Sequence, residues 1–183
     1  MERRYEGTIY CVSTKRLVAE LNRPHAWRGE GGIKLRTYAM FKSKCSIEPY
    51  LFFIDDQAKR RLMAQYRMGV APLRIEQGRY EANGMNNGSR GIPSEQRVCQ
   101  VCDCGIEDEL HLFAHCAAYD RLRQNLMTSI RTHQPNMLEG NDVDVFCRLM
   151  ASEDKVEVKK VGEFLWHSFK LRRQVLSQKG IMV

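Results

Sequence analysis

Apolar residues recur at helical intervals over most of this chain. The longest run lies near its end. Between Lys155 and Gln178, Val158, Val161, Leu165 and Phe169 fall three to four positions apart, and Phe164, Trp166 and Leu176 widen the stripe. That spacing predicts a long amphipathic helix. Asp142 to Met150 reads as another, with acid at its start. From Ala118 to about His133, Tyr119, Leu122, Leu126 and Ile130 share one face, and Gln134-Pro135-Asn136 ends the helix. Ala58, Leu62 and Tyr66 repeat every four residues and predict a helix beginning near Gln57, with Tyr66 turned into the core. Ile33 to Lys42 carries Leu35 and Tyr38 at helical spacing, and Pro49 opens a short apolar helix or extended segment ending at Ile54. Residues 81 to 93 form a loop by composition.

Residues 1 to 32 carry less pattern. Ser13 to Leu21 fits one short helix, Asn22-Arg23-Pro24 breaks it, and Gly29-Glu30-Gly31-Gly32 reads as a link. No Lys-Ser or Lys-Thr follows those glycines, so they do not form a phosphate loop. The expected fold is mostly α. It is a single helical domain over residues 33–178 with a small structural zinc knuckle at 98–123, preceded by the poorly patterned segment.

The knuckle is expected because of its ligand spacing. Cys99 and Cys102 form a C-x2-C pair, and His111 and Cys116 form an H-x4-C pair after an eight-residue spacer. A C-x2-C turn can aim two sulfurs at one point. The H-x4-C pair suits one helical turn, where residues four apart share a face. Three thiolates and one imidazole make a closed tetrahedral shell, which points to structural rather than catalytic zinc. Cys104 is an alternative to Cys102, as C-x4-C. His115 would project about 100° away from its neighbour Cys116 on a helix, which favours His111. Asp108 or Glu107 is placed to start the turn bearing His111. Cys11, Cys45 and Cys147 lie far away in sequence and read as core thiols.

Charge adds a partner class. The 183 residues carry a formal net charge of +7, which favours a polyanion. Two segments concentrate it. Residues 57–80 hold Lys59, Arg60, Arg61, Arg67, Arg74 and Arg79 against Glu76, and residues 155–179 include Lys170, Arg172 and Arg173; each segment has a local charge of +5. These cations are the candidate phosphate contacts for RNA or DNA. Glu107-Asp108-Glu109 forms an acidic edge that would repel phosphate. No apolar run is long enough for a membrane span. An odd number of cysteines, seven, beside a metal-like cluster argues for a reducing, intracellular setting, nuclear or cytoplasmic.

Phe53-Ile54-Asp55-Asp56 raises the alternative of a polymerase palm, whose paired aspartates hold magnesium. The helical repeat that follows argues instead for a helix N-cap at Asp55 or Asp56.

Taken as an ordered set, several pieces resemble the C-terminal zinc-binding region of LINE-type (non-LTR) retrotransposon reverse transcriptases. They are Lys34-Leu35-Arg36-Thr37-Tyr38 with Phe41-Lys42, Glu48-Pro49-Tyr50-Leu51, Arg60-Arg61, and Leu73-Arg74-Ile75-Glu76-Gln77-Gly78-Arg79-Tyr80. Arg97-x-Cys99, Glu107-Asp108-Glu109-x-His111, His115-Cys116 with Tyr119 and Leu122-Arg123, and Gly162-Glu163-Phe164-Leu165 with Phe169-Lys170-x-Arg172 complete the series. The likeness spans residues 33 to 176 and implies Cys99, Cys102, His111 and Cys116 as ligands. It implies zinc-dependent binding of RNA or DNA without catalysis, since nothing here resembles the family's polymerase or endonuclease. Alanine stands at position 117, where the family often has proline. The alternative function is a protein-interaction module stapled by zinc, with a partner docking on the C-terminal helix.

Overall fold

The computed structural model describes residue 35 and residues 37–42, 46–81 and 91–181. The Ser13–Leu21 helix, the 29–32 link, Cys11, Cys45 and most of the 81–93 loop lie outside the described residues. Among the described residues the chain is mostly helical, with one isolated antiparallel bridge, Val98 to Ile106.

The helices are α1 (Tyr50–Phe53), α2 (Gln57–Arg67), α3 (Arg74–Gln77), α4 (Asp120–His133), α5 (Asp142–Ala151) and α6 (Lys155–Gln178). Short 3-10 turns lie at Tyr38–Met40, Ser94–Gln96, Ala117–Tyr119 and Pro135–Leu138. The periodic stretches from Gln57 onward became helices where the apolar repeat placed them, whereas Ile33 to Lys42 yields only the 3-10 turn at Tyr38–Met40 among its described residues. Ala118 differs: the chain there makes a 3-10 turn, and the α-helix proper begins at Asp120.

The long helix α6 is the axis, and α1, α2, α4 and α5 all pack against it. Its apolar stripe is wide enough to serve them because Val158, Val161, Phe164, Leu165, Phe169 and Leu176 are all buried. Rings from four parts of the chain lock around it edge to face. Phe169 meets Tyr66 at 6.3 Å, Tyr66 meets Phe146 at 6.4 Å, Phe146 meets Phe113 at 5.3 Å, and Phe113 meets Phe164 at 5.9 Å. Such contacts add about 0.5–1.5 kcal/mol each beyond the area they bury. The Tyr66 hydroxyl, fully buried as expected, donates to the Glu109 carbonyl. At Gly162 the helix passes so close to Ile54 that a Cβ would lie 2.7 Å from its Cδ1. Any side chain there would force the Ile54 methyl to move.

Polar side chains fix the ends. Asn141 and Asp144 form a capping box on α5, and Asp154 accepts from the amides of Val156 and Glu157 at the start of α6. Asp56 is the N-cap of α2, accepting from the Lys59 amide at 2.9 Å. Asp55 is exposed and its carboxylate meets Lys159 Nζ at 3.4 Å. The Asp-Asp pair is thus divided between a cap and a surface ion pair.

Asp56→Ala should therefore lower stability by about 0.5–2 kcal/mol, the worth of an N-cap. Asp55→Ala should change it much less, because an exposed pair contributes little. Urea unfolding of the two variants beside the parent checks the contrast.

Candidate metal centre

The site is assembled by two turns that meet. In the first, the Cys99 amide donates to the Gly105 carbonyl at 2.9 Å and the Cys99 carbonyl accepts from the Asp103 amide at 2.8 Å. The chain reverses through Asp103 and Gly105, whose φ values are 59° and 65°. Glycine suits position 105 twice over: the backbone is left-handed, and an added Cβ would stand 3.3 Å from His111 Nδ1. The Val98–Ile106 bridge closes the loop.

The second turn runs over His111–His115 and is a π turn. Asp108 starts it, its Oδ1 accepting from the His111 amide at 2.7 Å. His111 and Cys116 are five positions apart, one more than an α-helical face provides. The wide turn takes up that additional residue. Its closing bond, from the Cys116 amide to the His111 carbonyl, is 2.8 Å, and Cys116 then continues as extended chain. A π turn at such a place is a known device for re-aiming side chains. The expectation of an ordinary helical turn is corrected accordingly.

The result is that one donor atom each from Cys99, Cys102, His111 and Cys116 lies within 4.8 Å of all the others. Cys99, Cys116 and His111 are buried and Cys102 is half-buried. Cys102 Sγ stands 3.3 Å from His111 Nε2. The hydrogen bond with Cys116 and then burial push the Cys99 thiol well up, while burial pushes His111 down. Four such donors converging in the interior can hold a metal ion. Cys104 is exposed and outside the cluster, offering only its carbonyl to the Cys102 thiol at 3.4 Å. His115 turns outward toward Asp142, 3.6 Å away.

Three anchors tie this centre to the helices. Arg123 of α4 donates from Nε to the Phe113 carbonyl and from Nη2 to the Cys116 carbonyl, each at 2.7 Å. Lys179, just past α6, donates to the Gln100 carbonyl at 2.8 Å and to Asp103 Oδ2 at 2.7 Å. The third is Glu107. Its carboxylate receives Arg172 of α6 as a two-bonded fork, 2.8 Å at both oxygens. It also accepts from the Arg74 amide at 2.7 Å and from the Cys99 thiol at 3.8 Å. Glu107 and Arg172 are 1% and 0% exposed. The acidic edge expected from sequence is therefore not an edge, since Glu107 and Glu109 are both buried. Nothing in the local pattern marks Glu107, because its partner lies 65 positions away.

The candidate phosphate contacts divide by burial and pairing. Arg172 is interior, and so is Arg67, which reaches the Met150 carbonyl, pairs with Glu48 at 2.6 Å, and stacks on Phe41 and Tyr50. Neither faces solvent, so for these two the surface role expected from sequence is corrected to a structural one. Arg74 pairs with Glu81, Arg79 with Glu76 at 3.3 Å, and Arg60 Nη1 donates to the Ile54 carbonyl at 3.0 Å. Lys59 is half-buried beside Asp55, Asp56 and Lys159. Arg61, Lys170 and Arg173 are exposed.

Cys99→Ser and Cys116→Ser should each abolish tight metal retention, and Cys104→Ser and His115→Ala should not. Metal content by mass spectrometry after gel filtration reads the difference. Because bound thiols must lose their protons, affinity should fall as pH drops, with proton release on loading.

No protein-family model matches the chain, and no curated protein or solved structure matches it either.

Proposed function

We propose that this chain is a nucleic-acid-binding module whose Cys3His centre holds zinc and sets the position of its long helix. Bonds of about 2.3 Å to sulfur and about 2.0–2.1 Å to nitrogen would separate tetrahedral donors by about 3.5–3.8 Å. The spread of donor atoms within 4.8 Å agrees with that shell. Zinc there would supply folding energy rather than chemistry, all four positions being taken by protein. The resemblance to the zinc-binding region of LINE-type reverse transcriptases supports the same reading and the same origin, without catalysis.

The observation that carries the binding surface is the division among the cations. Those that are buried or paired hold the fold. Arg61, Lys170 and Arg173 are exposed and have no acidic partner among the described residues. They stand on α2 and α6, which pack side by side. Lys170 and Arg173 are one helical turn apart, and half-buried Trp166 lies one turn before Lys170 on the same face. Flexible cations flanking an aromatic edge suit a phosphate backbone, read without base specificity.

A second reading is favoured by a different feature. Ile47, Leu51 and Phe52 are 59%, 47% and 66% exposed and adjacent at the start of the fold. An apolar patch of that kind fits a protein partner instead.

A salt titration separates the two. Binding of generic RNA and duplex DNA should weaken linearly on a log–log plot, by about 0.9 in slope per phosphate contact for duplex and about 0.7 for single strands. The triple change Arg61→Ala, Lys170→Ala, Arg173→Ala should lower the slope by about 2–3 and weaken all sequences alike. Arg60→Ala should leave the slope nearly unchanged. An unchanged slope in the folded, zinc-loaded triple variant would remove this surface. Loss of a partner on Leu51→Ser with Phe52→Ser would favour the second reading.

A further inference from the structure

A second group of ligand-type side chains lies away from the Cys3His centre, where the end of α4 meets the start of α6. His133 is the last residue of α4, Asp154 is the N-cap of α6, and Glu157 lies in its first turn. One donor atom from each falls within 4.8 Å of the other two. His133 Nε2 is 3.0 Å from Asp154 Oδ1. A His–carboxylate contact of this kind is common and carries little by itself.

The independent observation is Glu157. It is 1% exposed, although it lies in the first turn of the helix among exposed lysine and valine neighbours. Oε2 accepts from the Ser152 hydroxyl at 2.5 Å, but Oε1 is buried with no hydrogen-bond partner. Leaving a carboxylate oxygen dry and unmatched costs free energy that a neighbouring donor or cation would recover. Among the described residues, no lysine or arginine supplies that charge in the way Arg172 does for Glu107. What stands next to it is a second carboxylate and an imidazole, which is a set of ligands rather than a set of counter-ions.

We infer that His133, Asp154 and Glu157 form a second, open metal site that takes a first-row divalent cation of the manganese–cobalt–zinc class. One nitrogen and two carboxylates make a mixed, moderately hard set, unlike the thiolate-rich centre. Three protein ligands leave positions for water, and His133 and Asp154 are each about one-third exposed, so the ion would exchange readily. The positive end of the α6 dipole opposes a cation, at about half a charge, whereas the two carboxylates offer two negative charges. Net attraction survives, and binding would pin the end of α4 to the start of α6. The site is independent of the proposed zinc centre and of nucleic-acid binding.

Manganese distinguishes the two centres, because it favours oxygen ligands and does not compete for thiolates. Full-length protein saturated with zinc is titrated with Mn2+, and free ion is followed by electron paramagnetic resonance. The expected result is one saturable equivalent in the parent, weakened at least tenfold in His133→Ala and in Glu157→Gln, with zinc content unchanged in all three. His133 is at an exposed helix end, so His133→Ala reports even where a change at buried Glu157 unfolds the protein. No saturable Mn2+ in the zinc-loaded parent would overturn the inference. So would unaltered Mn2+ affinity in His133→Ala.

Discussion

The buried pair between Glu107 and Arg172 is the interaction on which the rest of this structure depends. Glu107 belongs to the loop between the two ligand pairs, and Arg172 to the central helix, 65 positions on. The carboxylate also receives the Arg74 amide, while the Glu107 carbonyl accepts from the Ile75 amide at 3.0 Å. One residue thereby joins the metal loop, α3 and α6. A pair so deeply desolvated gives little net stability, since removing both ions from water offsets much of their attraction. Its value is positional. Losing one partner would strand the other as a buried charge, at about 3–5 kcal/mol, so only one register of α6 against the loop is tolerated.

That constraint explains how the basic segments divide. A cation on α6 that points inward must find an acid or destabilise the core, and Arg172 finds Glu107. On α2, Arg67 meets the same demand with Glu48, which also takes Lys42 at 2.6 Å and the Tyr38 hydroxyl at 2.5 Å. Formal charge therefore overstates what is available to a polyanion. Arg61 of α2 and Lys170 and Arg173 of α6 stay exposed, and Arg121 and Arg131 are exposed on α4.

Much of the fold was legible in the sequence because helices announce themselves by period. Val158, Val161, Leu165 and Phe169 placed α6, and the bounds Lys155 and Gln178 follow the N-cap at Asp154 and the end of the apolar stripe. The Cys3His set was legible because pairs of soft ligands at short spacing have few other uses. The π turn was not, because hydrophobic period does not distinguish i→i+4 from i→i+5 hydrogen bonding over so short a stretch. Long-range polar pairing was not legible either. Nothing near Glu107 or Arg172 differs in kind from the exposed Glu163 or Arg173, and only the packed structure selects the buried partner. The His133–Asp154–Glu157 group was missed for the same reason. Its members come from two helices that the sequence separates by a turn and all of α5.

The central claim is that the metal loop and the long helix form one unit joined through Glu107 and Arg172. Backbone hydrogen exchange, compared between zinc-loaded and chelated protein, tests it most directly. Amides differ in protection according to the cooperative unit they open with. The account predicts that removing the metal speeds exchange both in residues 98–116 and in the turns of α6 around Arg172, from Phe169 to Leu176. Rapid exchange confined to residues 98–116, with Phe169 to Leu176 as protected as before, would contradict it.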